Sequence, residues 1–209
     1  MKLFPVASEG WPFILAPVGV ALLLYLLGWP KVALGLGLLA LFMLYFFRDP
    51  ERISPEQPGA VLAPADGKVV EIREVTDHFV GPGKRVSIFL SPLDVHVNRA
   101  PIGGLVVGVE YRAGRFLPAY RARASELNER ATVRLQGQDV RVTVTQIAGV
   151  LARRIVCRLR GGEKLQAGER FGMIRFGSRV DLILPQSLRM EARVGDRVLA
   201  GESIIGVFV

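Results

Sequence analysis

Cysteine and histidine are scarce in this 209-residue sequence. The single cysteine, Cys157, excludes an internal disulfide and a zinc site built from several thiolates. The two histidines, His78 and His96, leave little material for a histidine-based metal site. Charged residues are also few, at 22%, whereas 50% of the residues are hydrophobic. This composition excludes intrinsic disorder, and the near absence of cysteine suits a reducing compartment.

The charges are distributed unevenly along the chain. Residues 1–47 contain only Lys2, Glu9 and Lys31, so residues 48–209 carry 25 basic and 18 acidic side chains, a net charge of +7. A basic body next to an almost uncharged segment suits an anionic membrane surface, where each Lys or Arg contributes about 1 kcal/mol. Nucleic acid is the competing partner, but base stacking needs exposed aromatic side chains. Only 8% of the residues are aromatic, and many of them lie in the apolar segment.

Two uncharged apolar runs, residues 11–28 and 32–47, occupy the amino-terminal segment. Each is close to the lower length limit for crossing a bilayer, and Trp29-Pro30-Lys31 separates them. They predict an anchoring helical hairpin over residues 1–47, whereas a cleaved signal peptide has one run and a small-residue cleavage site. The lengths leave open whether the hairpin spans the bilayer or dips into one leaflet. Arg48 and Arg52 follow the second run, which predicts that the remaining chain lies on the cytoplasmic face of the cell membrane.

Beyond the anchor, the sequence predicts a β-rich domain. Residues 48–64 contain several turn formers and are interpreted as a linker, and residues 65–209 form the predicted domain. Helical periodicity is scarce there apart from a turn at 125–130, so a parallel α/β sheet is not expected. Short β-branched segments bounded by Gly, Asp and Pro predict strands at 68–75, 85–90, 104–111, 131–135, 140–147, 153–160, 179–184 and 204–209.

An internal repeat refines the fold prediction. Residues 162–174 (GEKLQAGERFGMI) align with residues 195–207 (GDRVLAGESIIGV) at an offset of 33 positions. In each copy a glycine and an acid open one turn, and Ala-Gly closes a second turn where glycine tolerates positive φ. The pattern resembles the biotinyl/lipoyl barrel-sandwich, so the predicted fold class is mainly β, a barrel-sandwich domain with an amino-terminal hydrophobic helical hairpin. A carrier domain of that kind needs a lysine at a hairpin tip, and the approach to the second copy, residues 188–192 (LRMEA), has none.

Three polar residues are candidates for chemistry, although each also has an ordinary structural explanation. Ser178 follows Gly177 before an apolar segment, but Gly-Ser pairs are common in turns. Asp66 belongs to an Asp-Gly pair, which is typical of turns. His96 alternates with two valines, as a half-buried strand histidine does.

Several short motifs follow one another in a specific order along the domain. They are PADGK at 64–68, SPLDVHVNRAP at 91–101, GRFLPA at 114–119, ASELNER at 124–130 and FGS at 176–178. In combination they resemble the phosphatidylserine decarboxylase family, more narrowly its short archaeal-type members. The resemblance extends from about residue 45 to the carboxyl terminus, and the hydrophobic anchor also suits that family.

The resemblance implies a self-processing, pyruvoyl-dependent decarboxylase. Ser178 would attack the carbonyl of Gly177, convert the peptide bond to an ester, and leave a pyruvoyl group after elimination. The products, residues 1–177 (the β chain) and 178–209 (the α chain), would stay associated. The pyruvoyl cofactor, with no metal and no pyridoxal phosphate, would form a Schiff base with phosphatidylserine, which loses CO2 to become phosphatidylethanolamine. His96 is the expected base in the cleavage and the expected acid in the decarboxylation, with Asp66 as the carboxylate that orients it.

Other positions are less sharply defined by the resemblance. Longer family members have a second histidine where this chain has Arg99, and a Leu and a Thr where it has Phe176 and Arg179, so the division of proton transfer between His96 and Asp66 stays open. The expected ligands of the lipid phosphate, which a solvated basic face would also explain, are Arg112, Arg115 and Arg121.

An alternative function also follows from the sequence. A membrane-tethered barrel-sandwich adaptor or carrier without catalysis would need only the anchor and the β domain. It predicts one intact chain of 22.9 kDa without a reactive carbonyl. Both hypotheses leave homo-oligomerisation open.

Overall fold

The computed structural model describes residues 5–118, 124–149, 154–175 and 178–208. The chain divides into two compact units, Met1–Glu51 and Arg52–Val209.

The first unit is a helical hairpin. A short 3-10 helix, Ser8–Gly10, leads into α1, Trp11–Leu26, and α2 comprises Pro30–Phe46. Each α-helix has a proline in its first turn, where the backbone N–H has no partner within the helix. Gly28, at φ +83°, turns the chain between the helices. The predicted helical hairpin is therefore confirmed.

Apolar side chains cover the surface of this hairpin. Leu22, Leu26 and Leu34 are more than 60% exposed, and Phe46 and Phe47 are fully buried. The segment Ser8–Leu26 is long and apolar enough to cross a membrane, whereas Pro30–Phe46 is shorter. A helix with such an apolar surface suits association with a membrane.

The second unit is mainly β, as predicted. One short helix, α3, spans Ala124–Leu127, where the sequence predicted a turn. The strands are β1 Ala60–Leu62, β2 Gly67–Asp77, β3 Gly81–Leu90, β4 Val97–Arg99, β5 Gly104–Arg112, β6 Arg130–Gln136, β7 Arg141–Ile147, β8 Ile155–Cys157, β9 Lys164–Leu165, β10 Arg170–Ile174, β11 Ser178–Pro185, β12 Arg189–Met190, β13 Arg197–Val198 and β14 Ile204–Val207.

The strands form three sheets that enclose one core. The large sheet has the order β13-β2-β3-β11-β7-β6-β5-β9, and the two small sheets have the orders β1-β14-β12 and β4-β10-β8. The large sheet curls into a half-barrel, so the predicted barrel-sandwich is confirmed. Strand β1 lies within the segment interpreted as a linker, because Val61 and Leu62 are buried and pair with β14.

Strand β11 lies at the centre of the large sheet, between β3 and β7. Strand β6 buries one face only, since buried Ala131, Val133 and Leu135 alternate with half-exposed residues. In β11, by contrast, all residues from 178 to 182 are buried, so both of its faces are covered. Ser178 begins this central strand.

The two repeat copies form matching strand–turn–strand units. The first contains β9 and β10, and the second contains β13 and β14. Gly168 and Gly201 have positive φ, +78° and +75°, as the repeat predicted, and Gly162 and Gly195 also have positive φ, +92° and +103°. Strands β9 and β13 lie at opposite edges of the large sheet, and β10 and β14 are the middle strands of the two small sheets. The repeat is therefore a structural one.

Candidate active site

Ser178 is a buried serine on the core face of the large sheet. It lies directly opposite Leu90 of β3, and its exposed fraction is 0%. Among the described residues, no hydrogen-bond partner lies within reach of its Oγ. An unpaired buried hydroxyl costs about 1–3 kcal/mol, which is a reason to look for a chemical role. Phe176 and Gly177, which precede Ser178, lie outside the described residues. Gly177 is the other half of the expected cleavage site.

His96 is fully buried in the segment between β3 and β4. Its Nδ1 lies 2.9 Å from the backbone carbonyl oxygen of Asp94. A carbonyl oxygen only accepts hydrogen bonds, so Nδ1 carries the hydrogen. In the neutral imidazole, Nε2 therefore holds the lone pair and is the atom that can accept a proton.

Backbone hydrogen bonds connect His96 to the segment that leads to Ser178. The His96 carbonyl accepts a hydrogen bond of 3.3 Å from the N–H of Ile174, at the end of β10. Ile174 is four residues before Ser178, and Leu90, opposite Ser178, is six residues before His96. The chain segments on both sides of His96 are thus tied to the neighbourhood of Ser178.

Asp66 is a buried carboxylate with partners in two other segments. Its Oδ1 accepts a hydrogen bond of 2.8 Å from the N–H of Ala200, and its Oδ2 lies 2.9 Å from Arg52 Nη2. The same arginine contacts Glu202 at 2.7 Å. Two residues earlier, the Pro64 carbonyl accepts the N–H of Arg99, in the strand that follows His96. The turn that carries Asp66 is therefore fixed next to the strand that His96 leads into.

Arg99 connects the two repeat copies. It is 5% exposed, and its Nη1 donates a 3.0 Å hydrogen bond to the carbonyl of Gly168 in the first copy. A Cβ on Gly201 of the second copy would lie 2.9 Å from Arg99 Cδ and 3.3 Å from the Cα of Gly168. Arg99 therefore packs against both glycine turns.

A buried amide pair, Gln146 and Asn98, was not among the residues selected from the sequence. Both side chains are 0% exposed, and Gln146 Nε2 donates to Asn98 Oδ1 at 2.8 Å. Gln146 Oε1 has no partner among the described residues. Gln146 is opposite Val180, so its side chain lies on the same face of the sheet as that of Ser178. The sequence signal was a polar residue in register with the core residues Val142 and Val144.

Arg179 lies on the opposite face of β11 in a buried charged cluster, which the sequence also did not reveal. Its Nε contacts Asp181 Oδ1 and its Nη2 contacts Ser87 Oγ, each at 2.6 Å. Glu71 joins the cluster at 3.3 Å from Arg179 and 2.9 Å from Arg85. Burial by itself raises the pKa of Glu71. The hydrogen bond and positive charge of Arg85, together with the charge of Arg179, lower it by more, so the pKa lies below its ordinary value.

The three arginines expected to bind a lipid phosphate have different surroundings. The Arg112 side chain is 63% exposed and pairs with Glu110 at 2.7 Å. The hydrogen bonds that Arg134 and Arg112 donate to Glu110 hold the pKa of that carboxyl below its usual value. Arg115 is exposed, and its backbone N–H donates to Leu127. Arg121 lies outside the described residues.

His78 lies at the opposite end of β2 from Asp66. It is an exposed residue in the turn between β2 and β3, where Asp77 Oδ1 accepts hydrogen bonds from the N–H groups of Phe79 and Val80. Strand β2 begins at Gly67, next to Asp66, and ends at Asp77. His78 is therefore separated from Asp66 by the length of the strand.

Comparisons with known proteins agree with the motifs. The family model for phosphatidylserine decarboxylase matches residues 39–206. Similar proteins carry the name phosphatidylserine decarboxylase proenzyme. The relative from Chlorobium limicola is 44% identical over 207 residues, which cover 95% of this chain and 98% of the relative. Those from Symbiobacterium thermophilum and Nitrosomonas europaea are 48% and 45% identical, with coverage of 96% and 97% of this chain and 94% and 95% of the relatives.

Proposed function

The chain belongs to the phosphatidylserine decarboxylase family, and we propose that it cleaves itself between Gly177 and Ser178 before it converts phosphatidylserine to phosphatidylethanolamine and CO2. The observation that carries this proposal is the buried Ser178 hydroxyl at the start of the central strand, which has no partner among the described residues. A hydroxyl that is not held by other hydrogen bonds can turn toward the preceding carbonyl carbon.

The cleavage transfers the chain from nitrogen to oxygen. Ser178 Oγ bonds to the carbonyl carbon of Gly177 while the C–N bond breaks, and the Oγ proton moves by way of His96 to the released nitrogen. Loss of the Cα proton of residue 178 then expels the Gly177 carboxylate from Cβ. Water replaces the remaining nitrogen, which leaves as ammonia, and residue 178 becomes a pyruvoyl group. In this scheme His96 Nε2 acts as the base, since Nδ1 is held by the Asp94 carbonyl.

The surroundings of residue 178 suit a pyruvoyl group. The Cβ that carries the hydroxyl in serine is the methyl carbon of the pyruvoyl group. The Ser178 side chain faces the core beside Leu90 and Val180, which suits a methyl group. When present, the pyruvoyl group supplies an electrophilic carbonyl that accepts electrons as CO2 leaves. Burial of residue 178 at 0% exposure would keep bulk water away from that carbonyl.

His96 and Asp66 have separate tasks in the proposed reaction. His96 holds and releases the proton, both in the cleavage and when the decarboxylated carbon is protonated. Asp66 provides a fixed negative charge, held in place by Arg52 and the Ala200 N–H, that would stabilise a positively charged imidazole. The exposed Arg112 and Arg115, and Arg121, are proposed to contact the phosphate of the substrate.

The two pieces would remain associated after cleavage because their strands are interleaved. Strand β11 of the small piece lies between β3 and β7 of the large piece. Strand β13 pairs with β2, and β14 pairs with β1. We also propose that the apolar hairpin anchors the enzyme with this domain on the cytoplasmic face of the cell membrane.

Intact-mass spectrometry of purified full-length protein tests the cleavage. Wild type should give two chains, of which the smaller is residues 178–209 with a blocked amino terminus. Ser178→Ala should stay whole, whereas Ser187→Ala, in an exposed turn, should cleave normally. A whole wild-type chain that still decarboxylates phosphatidylserine would overturn the pyruvoyl mechanism. A whole and inactive chain would favour the adaptor function.

A further inference from the structure

Two loops at one corner of the large sheet expose apolar side chains. Leu93 is 60% exposed in the turn after β3, and Val194 (60%) and Leu199 (44%) lie on either side of β13. Single exposed apolar residues are ordinary on protein surfaces. These three lie on adjacent loops, because Arg197 Nη1 of β13 is 3.4 Å from Asp94 Oδ1, next to Leu93.

Positive charges surround these apolar side chains. Lys68, Arg193 and Arg197 are exposed, and Lys68 lies directly opposite Arg197 in the sheet. The two nearby acids are engaged by the backbone, since Asp94 Oδ2 accepts the Ser91 N–H and Asp196 Oδ2 accepts the Arg193 N–H. Asp94 also pairs with Arg197, and the three cations exceed these two carboxylates, so this corner keeps a net positive charge of one. We refer to the following residues as the corner patch: Leu93, Val194, Leu199, Lys68, Arg193 and Arg197.

The corner patch borders the candidate active site on two sides. Leu93 precedes Asp94, whose carbonyl accepts the hydrogen bond of His96 Nδ1. Leu199 precedes Ala200, whose N–H donates to Asp66. A lipid whose headgroup reaches His96 and Asp66 from this corner would keep its acyl chains beside the exposed apolar residues.

We propose that the corner patch docks onto an anionic phospholipid bilayer. Leu93, Val194 and Leu199 enter the interface between headgroups and acyl chains, and the three cations bind lipid phosphates. The substrate headgroup then has only a short distance to travel out of the bilayer. The inference rests on the proposed function, from which it takes that the substrate is a membrane lipid. The docking itself can be measured on a chain that does not cleave.

A fluorescent probe on the full chain tests the docking directly. In a Ser178→Ala, Cys157→Ala background, a bimane label is attached at Val194→Cys and, as the control, at Gln138→Cys. Gln138 is exposed in the turn between β6 and β7, at the opposite end of those strands from Ile147 and Arg130. Each protein is reconstituted into vesicles of phosphatidylcholine with phosphatidylglycerol that contain lipids with a quencher near the headgroup.

Quenching at Val194 should exceed quenching at Gln138, and it should fall when phosphatidylcholine replaces phosphatidylglycerol. Equal quenching at both positions, or stronger quenching at Gln138, would overturn the proposal. Quenching at Val194 that does not depend on the anionic lipid would overturn the role of the cations. Because Ser178→Ala cannot form a pyruvoyl group, these outcomes are independent of the cleavage mechanism.

Kinetics of the cleaved enzyme provide a second test. We expect Arg193→Gln to lower the ratio of activity on phosphatidylserine vesicles to activity on a monomeric short-chain analogue by about fivefold, the effect of one cation at an anionic surface. Arg141→Gln, at an exposed position beside the control turn, should leave the ratio unchanged. An unchanged ratio for Arg193→Gln, or an equal fall for both variants, would contradict docking through the corner patch. If docking fails while wild type cleaves and decarboxylates, the corner patch alone is wrong.

Discussion

Ser178, Gln146 and Asn98 are buried polar residues beside the apolar core of the β domain. The oxygens of Ser178 and Gln146 that lack partners in the described part of the chain lie on the same face of the large sheet. Replacing such groups by apolar ones is often neutral or favourable for stability. A functional role is thus the better explanation for keeping these polar groups in the core.

Replacement of His96 by alanine should slow self-cleavage, decarboxylation or both by roughly a hundredfold or more, the usual loss when a general acid or base is removed. His78→Ala is the matched control, because His78 is exposed in a distant turn. Cleavage is followed by gel electrophoresis, and CO2 release is measured on the material that cleaves. Near wild-type rates for His96→Ala in both assays would remove it from the mechanism.

Asp66→Asn keeps an oxygen that accepts the Ala200 N–H but removes the negative charge beside Arg52. We expect cleavage to slow by about tenfold, since a lost charged interaction of about 1.5 kcal/mol raises the barrier by that amount. Asp139→Asn, in the exposed turn between β6 and β7, is the control. If both variants cleave at the wild-type rate, Asp66 has only a structural role in its turn.

At the scale of elements, strand β11 depends on the charged cluster around Arg179. Removal of one partner from a buried ion pair leaves the other charge without compensation. Arg179→Met should lower the free energy of unfolding by about 3–5 kcal/mol, because Asp181 is only 3% exposed. Arg189→Met breaks an exposed pair with Glu191 and should cost less than about 1 kcal/mol.

Urea unfolding of the full chain in the Ser178→Ala background measures this difference without interference from cleavage. Equal stabilities of Arg179→Met and Arg189→Met would show that the cluster contributes little to the fold. The pH of the measurement also matters, because Glu71 has a lowered pKa in the folded protein. Its folded value is lowered, so its contribution to stability is present above its unfolded pKa near 4.5 and decreases as the pH falls through the lower folded value.

The turns of the two repeat copies were predictable from sequence because their signal is local. Gly168 and Gly201 need positive φ, and the turn residues that require it stand beside them in the chain. The Arg179 cluster was not predictable, since its partner Glu71 is 108 positions away and strand pairing alone brings them together. In the same way, β1 was interpreted as part of a linker because its burial depends on pairing with β14, at the other end of the chain.

The candidate site shows the same limit. The order of motifs identified Ser178, His96 and Asp66, but their roles stay predictions. His96 is oriented by the hydrogen bond that its Nδ1 donates to a backbone carbonyl, and such a contact has no signature in the amino-acid sequence. Likewise, Arg52 lies in the segment interpreted as a linker, and only the fold brings its guanidinium to Asp66.

At the scale of the whole molecule, the chain separates an apolar hairpin from a basic β domain. The division falls between Glu51 and Arg52, and all three proposed reacting or supporting residues lie in the second unit. The side chain of Arg52 contacts both Asp66 and Glu202, so the second unit needs its first residue. The position at which the hairpin is removed should therefore decide whether the remaining protein is active.

A truncated protein that begins at Arg48 should still cleave itself, because it retains Arg52 and every proposed site residue. Its activity on phosphatidylserine in bilayers should fall more than its activity on a short-chain soluble analogue, since the anchor is lost while the site is kept. A protein that begins at Ile53 is the matched comparison, and it should cleave more slowly because Asp66 loses the guanidinium that holds it in place. Gel analysis of cleavage and circular dichroism of both proteins make the measurement. If the Arg48 protein is folded but stays whole, the hairpin takes part in processing. If both proteins cleave at the same rate, the contact between Arg52 and Asp66 has no part in the reaction.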